Sequence, residues 1–190
     1  LMLVGLVPPL LVMPSFMALM PIFAKDIFGS GAMGLGILIS ASGLGGLLGA
    51  LFAAALGRFE RRGLLQLAML IVASATLLGF AFAPSMAVAV PLLMVAGFAE
   101  MVFMTTTQTL VQLSVPDQMR GRVISTFMLT MAIMPIGIFV FGALADVIGP
   151  RYTVGGASAL ALLAAVSILA FSPRVRGLKL SQAESTGHGS

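Results

Sequence analysis

The residue with the most chemistry in this sequence is Glu100, because of where it stands. It falls near the middle of an apolar run from about Met86 to Leu113, roughly 20 Å from either end at 1.5 Å per residue. An ionised carboxylate at that depth in hydrocarbon costs at least ~2.5–3.5 kcal/mol. Such an acid is a candidate to take up and release protons unless a cation sits beside it. No lysine or arginine of the sequence lies at comparable depth. Met104, Thr107 and Gln108 follow at spacings of four, seven and eight, so the four side chains share one helix face. Thr105, Thr106 and Thr109 extend the polarity around the same half of the run. A polar stripe ending in an acid suits a water-filled path for substrate or protons. The plainer alternative is a protonated glutamate hydrogen-bonded between helices for structure.

Other reactive groups are scarce. The sequence has no cysteine, so it has no disulfide, thiolate nucleophile or cysteine metal site. Its one histidine, His188, lies in a small polar tail, where a solvated side chain is expected rather than a ligand or base. No metal site and no cofactor are expected, and a membrane protease or metalloenzyme would find few parts here. The formal charge of +4 arises from basic residues in short clusters between apolar runs. That placement is the positive-inside pattern of membrane proteins and argues against nucleic acid as a partner.

The elements that position Glu100 follow from the medium. Of 190 residues, 59% are hydrophobic and only 8% charged, where a soluble domain carries roughly 25% charged residues. With so little charge to face water, the expected surroundings are lipid and the fold an all-α membrane bundle. Six apolar segments approach the ~20 residues that a bilayer core requires. They run from about Leu3 to Ala24, Leu35 to Leu56, Leu64 to Phe82, Met86 to Leu113, Val123 to Val147 and Thr153 to Phe171. Residues 1–175 therefore read as one six-helix bundle, and 176–190 as a disordered tail. Leu1 opens an apolar run at once, and the expectation is a chain that begins inside or just before a membrane helix.

Two segments carry mechanical signals. Ala41, Gly45, Gly49, Ala53 and Gly57 recur every four residues, a smooth ridge where another helix can pack closely, and sliding along it is the gating hypothesis beside static packing. Pro8, Pro9, Pro14 and Pro21 predict a bent or interrupted first helix, and Pro135 with Gly137 a weaker bend in the fifth. Broken helices of this kind often line transport sites, although a kink without substrate contact is the alternative. Arg58, Arg61, Arg62, Arg120, Arg122, Arg174, Arg176 and Lys179 fall on one side of the membrane, against Lys25 and Arg151 on the other. That asymmetry predicts both chain ends in the cytoplasm. Arginines at helix ends beside Glu60 and Asp117 are candidate latches between states or simple topology anchors.

Several stretches then resemble a known family. Pro21-Ile22-Phe23-Ala24-Lys25-Asp26-Ile27-Phe28-Gly29, Gly34-Leu35-Gly36 and Ser42-Gly43-Leu44-Gly45-Gly46 resemble the seventh-to-eighth helix region of major facilitator superfamily transporters. Gln112-Leu113-Ser114-Val115-Pro116-Asp117 and Arg120-Gly121-Arg122-Val123-Ile124-Ser125 resemble the loop between helices ten and eleven of its enterobactin-exporter-like, or transmembrane secretion effector, branch. Gly142-Ala143-Leu144-Ala145-Asp146 and Ile148-Gly149-Pro150-Arg151 resemble the segment between helices eleven and twelve.

The resemblance implies half of a twelve-helix, two-bundle fold, with helices one to six absent and with helices seven, eight, ten and eleven toward a central cavity. It implies rocker-type export of small molecules driven by an ion gradient in the bacterial inner membrane. The partners expected are membrane lipid, a small-molecule substrate and the N-terminal six-helix half. Pro8-Pro9 departs from the pattern expected of helix seven. A facilitator or importer of the same fold, and a non-transporting scaffold or receptor, are the competing readings.

Overall fold

A computed structural model of the chain describes residues 12–56, 62–114 and 134–171. Pro8, Pro9, Gly57, Arg58, Arg61, the connection with Asp117, Arg120 and Arg122, and the 176–190 tail lie outside the described residues. In lipid a backbone must satisfy its own polar groups, which for a single segment means a helix. Every element described is one. They are α1 (Met13–Ile22), α2 (Gly31–Ala55), α3 (Arg62–Ala81), α4 (Met86–Ser114), α5 (Met134–Ile148) and α6 (Pro150–Phe171). Four of these, α2, α3, α4 and α6, are long and apolar enough to cross a membrane. The described parts of α1 and α5 are shorter, at 10 and 15 residues.

The prolines of α1 act differently from a simple break. Pro14 sits in the first turn of the described helix, where no intrahelical bond is asked of its nitrogen. Pro21 lies inside, and just beyond it the chain widens into one turn of π-helix over Phe23–Ile27. That turn closes with Phe28 N–H donating to the Phe23 carbonyl at 2.9 Å, and Ser30 N–H to that of Ala24 at 2.8 Å. Gly137 of α5 packs against the Pro14 ring, where an added Cβ would stand 2.8 Å from Pro14 Cβ. The two proline-and-glycine signals in the sequence thus meet at one helix contact.

Short connections fix the helix order at one end of the bundle. Between α3 and α4, Ala83 N–H donates to Phe80 O, and Ser85 O accepts from Ala89 N–H, both at 3.0 Å. Arg151, in the first turn of α6, reaches that same turn, with Nη2 3.4 Å from Ala83 O. Gly149 alone separates α5 from α6, with φ 88°, a left-handed value that glycine adopts without steric cost. Its carbonyl accepts both the backbone N–H and the hydroxyl of Thr153, at 3.1 and 2.9 Å. The hydroxyl thereby seals the start of α6.

The helices form a ring of neighbours: α2 packs on α4, α4 on α3, α3 on α6, α6 on α5, α5 on α1, and α1 returns to α2. At the short-turn end the core gathers Phe16, Leu19 and Phe23 with Leu38, Phe80, Leu93 and Val154. Phe80 meets Phe16 edge-on at 5.8 Å and Phe23 at 4.7 Å. A smaller cluster of Leu67, Leu70, Phe103 and Ala165 lies toward the other end. Large apolar side chains point outward between them, including Met33 at 80% and Val147 at 81% exposure. Outward apolar faces on every side are what a lipid medium asks for.

Candidate functional site

The polar residues of interest lie where α3 and α4 run antiparallel. Gln66, on the second turn of α3, is fully buried, and its Nε2 donates to Thr107 Oγ1 of α4 at 2.7 Å. Thr107 donates in turn to its own helix, to Phe103 O at 2.8 Å. The Gln66 side chain is then half satisfied: its Oε1 is buried and has no hydrogen-bond partner among the described residues.

Glu100 stands two turns back along α4 from Thr107, about 10 Å away and within about 20° of the same direction. Its Oε1 is likewise buried and without a partner among the described residues. Eight residues along α3 from Gln66, Ser74 reaches about the same level, since the two helices run in opposite directions. Its hydroxyl is the third buried polar atom in this state, and Ser158 on α6 the fourth. Gln66 and Thr107 thus flank the Leu67–Phe103 cluster, and Glu100 and Ser74 lie about one turn to its other side along their helices. α2 contributes no titratable residue to the surroundings of Glu100, and α3 only Arg62 at its first position.

The four side chains of the sequence stripe have separate fates. Thr107 is buried and committed to Gln66. Met104 is half-buried against the Leu67–Phe103 cluster, and Gln108 is exposed. Thr105 and Thr109 turn their hydroxyls onto the carbonyls of Met101 and Thr105, at 2.9 and 2.8 Å. Threonine bonding four residues back along its own helix removes polarity from the surface it would otherwise wet. Gln66, Ser74 and Ser158 carried no signal of comparable strength in the sequence. Gln66 is a single polar residue near the start of the Leu64–Phe82 run, and single serines are common in membrane helices.

A second feature lies between α1 and α2. A cleft of about 240 Å³ is lined by Phe16, Met17, Met20, Leu35, Ile39 and Ser42, with Pro21 at its edge. Its walls are almost wholly apolar, and two of them are thioethers, which adapt to irregular shapes. Of these residues Pro21, Leu35 and Ser42 fall in the stretches that carry the family resemblance, while Phe16, the two methionines and Ile39 carried no signal in the sequence.

The glycine ridge of α2 faces α4. Gly45 has no room for a side chain because its Cβ would overlap the Met94 carbonyl oxygen. At Gly49 the same atom would stand 2.5 Å from Phe98 O, and Gly97 of α4 is in turn pressed on Ser42 O. Ala41 is buried in the same seam and Ala53 half-buried. Pro135 lies at the start of the described α5, exposed.

The profile of the transmembrane secretion effector family matches residues 9–188. Among curated proteins, the multidrug efflux pump Tap of Mycolicibacterium fortuitum is 32% identical over 148 residues, 77% of this chain. That stretch spans 36% of the pump's own length. No solved structure matches the chain. A match across nearly the whole sequence, on a bundle of apolar helices and with a transporter among its relatives, places this chain in the transmembrane secretion effector family of the major facilitator superfamily.

Proposed function

We propose that this chain is the C-terminal six-helix half of a secondary exporter of small molecules, working by alternating access with an N-terminal half. The observation that carries the reading is the family match together with the likeness to a multidrug efflux pump. The apolar, methionine-bearing cleft between α1 and α2 supports it. Its volume suits one ring system of a larger apolar ligand, and flexible thioethers accept many shapes. Clustered arginines set the orientation in the bacterial inner membrane, with both ends of this chain in the cytoplasm.

Glu100 is the site of proton coupling in this reading. A buried carboxyl oxygen with no partner is costly, and a proton that comes and goes gives such a group a use. The bond from Gln66 to Thr107 favours a second reading, in which the stripe is interhelical fastening and Glu100 only part of it. Reconstitution of the full-length protein separates the two. With ethidium as fluorescent probe, Glu100→Gln is expected to lower efflux driven by a pH gradient at least about tenfold, a barrier change of about 1.4 kcal/mol. Undiminished proton-driven efflux would remove Glu100 from the coupling mechanism.

A further inference from the structure

Two buried acceptor atoms on the paired helices α3 and α4 have no partner among the described residues, Gln66 Oε1 and Glu100 Oε1, and the buried Ser74 hydroxyl of α3 is in the same state. Leaving a polar atom buried and unbonded costs about 1–3 kcal/mol each. No neighbouring side chain among the described residues bonds them to relieve that cost. Water does relieve it, because one molecule donates to two acceptors and accepts from a hydroxyl or a protonated carboxyl. A buried water needs 2–4 polar partners. Gln66 Oε1 offers one at the level of Thr107, and Glu100 Oε1 offers another, two turns deeper along the same face of α4.

The arrangement also has a direction. Gln66 and Thr107 lie toward the end of the bundle where α3 begins at Arg62, and Glu100 lies deeper. The bond that Gln66 donates to Thr107 turns its amide so that Oε1 remains free to accept. Thr107 uses its own proton on Phe103 O and so cannot swing away. Gln66 is thereby held as an orienter of water rather than as a carrier of charge.

We propose that Gln66, fixed by Thr107, holds water in the seam between α3 and α4, and that this water is the route by which Glu100 exchanges its proton with the arginine-rich side of the membrane. The route runs inside this one bundle, between two of its helices, and is separate from the apolar cleft between α1 and α2. It rests on the reading of Glu100 as the coupling residue. In each transfer the carboxyl O–H bond breaks as an O–H bond to the first water forms, that water releases another of its protons to the next, and the last water releases one to the bulk. Gln66 gains and loses no proton.

The test uses the full-length protein in lipid and no substrate. The infrared band of the protonated Glu100 carboxyl, identified by its loss in Glu100→Gln, is followed after transfer into deuterated water. In the parent protein the band shifts as the proton is replaced. Gln66→Leu and Thr107→Val are expected to slow that shift at least about tenfold, while Thr107→Ser, which keeps the hydroxyl, restores the parent rate. Melting curves of the purified variants accompany the measurement. Exchange in Gln66→Leu as fast as in the parent overturns the inference, and so does a parent band that never shifts. The reading beneath is tested apart from this: undiminished efflux in Glu100→Gln removes both, whereas impaired efflux with normal exchange in Gln66→Leu removes only the route.

Discussion

A side chain in a membrane helix is judged by what its polar atoms can find, and Thr107 shows how small the energies are. Interhelical hydrogen bonds between membrane helices average about 0.6 kcal/mol and reach about 1.7 kcal/mol. Thr107→Val is therefore expected to lower the melting temperature only slightly, with the protein still folded in detergent, and a thermal-shift assay checks this. A collapse of the fold would show that the Gln66–Thr107 pair holds the helices together rather than tuning a site. Glu100 was legible in the sequence because a carboxylate within an apolar run stands out against its neighbours. Gln66 was not. Its amide is a single polar group near the start of the Leu64–Phe82 run, and only the antiparallel pairing of α3 with α4 shows that it turns inward. The shared face of Glu100, Met104, Thr107 and Gln108 follows from helix angle alone, and helix angle says nothing of whether a neighbour covers the end of the stripe. Gln108 is exposed and Thr107 buried for that reason.

Between elements, the closest approach is that of α2 and α4, which run parallel with backbone against backbone. Without a hydrophobic force between helices in lipid, such contact supplies dispersion and weak Cα–H···O bonds. Gly45→Leu must drive the helices apart, because the obstructing atom is the Met94 carbonyl oxygen and not a movable side chain. The expected result is loss of folded protein, seen as aggregation on size-exclusion chromatography. Gly46→Ala is the control: its Cβ would lie 3.9 Å from Gly97 O, an ordinary contact, so normal behaviour is expected. The spacing of four made the ridge readable, while its partner helix was not, since nothing in α2 names Gly97 or Met94. The π turn after Pro21 was equally hidden, because widening a helix by one residue leaves its apolar pattern nearly unchanged. Segment ends were read to within a few residues; α2 begins at Gly31 rather than Leu35, where Gly31 and the Ser30 carbonyl bonding Gly34 N–H start the helix early.

For the whole molecule, composition decided the medium, while the family was carried by the resemblance of stretches such as Val115-Pro116-Asp117 and Arg120-Gly121-Arg122. With 8% charged residues, no folding of this chain covers itself in polar groups, and the outward Met33, Phe139 and Val147 follow from that. The ring order of helices did not follow, because each apolar run is hydrophobic on all sides and leaves its neighbour unspecified. Orientation can be checked directly, since the sequence has no cysteine to interfere. Lys25 is exposed at the short-turn end. In the full-length protein freed of any other cysteine, Lys25→Cys is expected to react with a membrane-impermeant maleimide applied outside intact cells. Reaction only after the cells are opened would reverse the assignment of sides.

The one-residue joint at Gly149 carries a mechanical implication. With α5 and α6 hinged by a single left-handed residue, whose carbonyl is clasped twice by Thr153, the two rods share a fulcrum at that end. Tilting α5 therefore sweeps a wide arc at its far tip and almost none at the corner, as in any lever. A bulky residue at Gly149 would strain the corner by about 1–2 kcal/mol and reset the angle from which that arc begins.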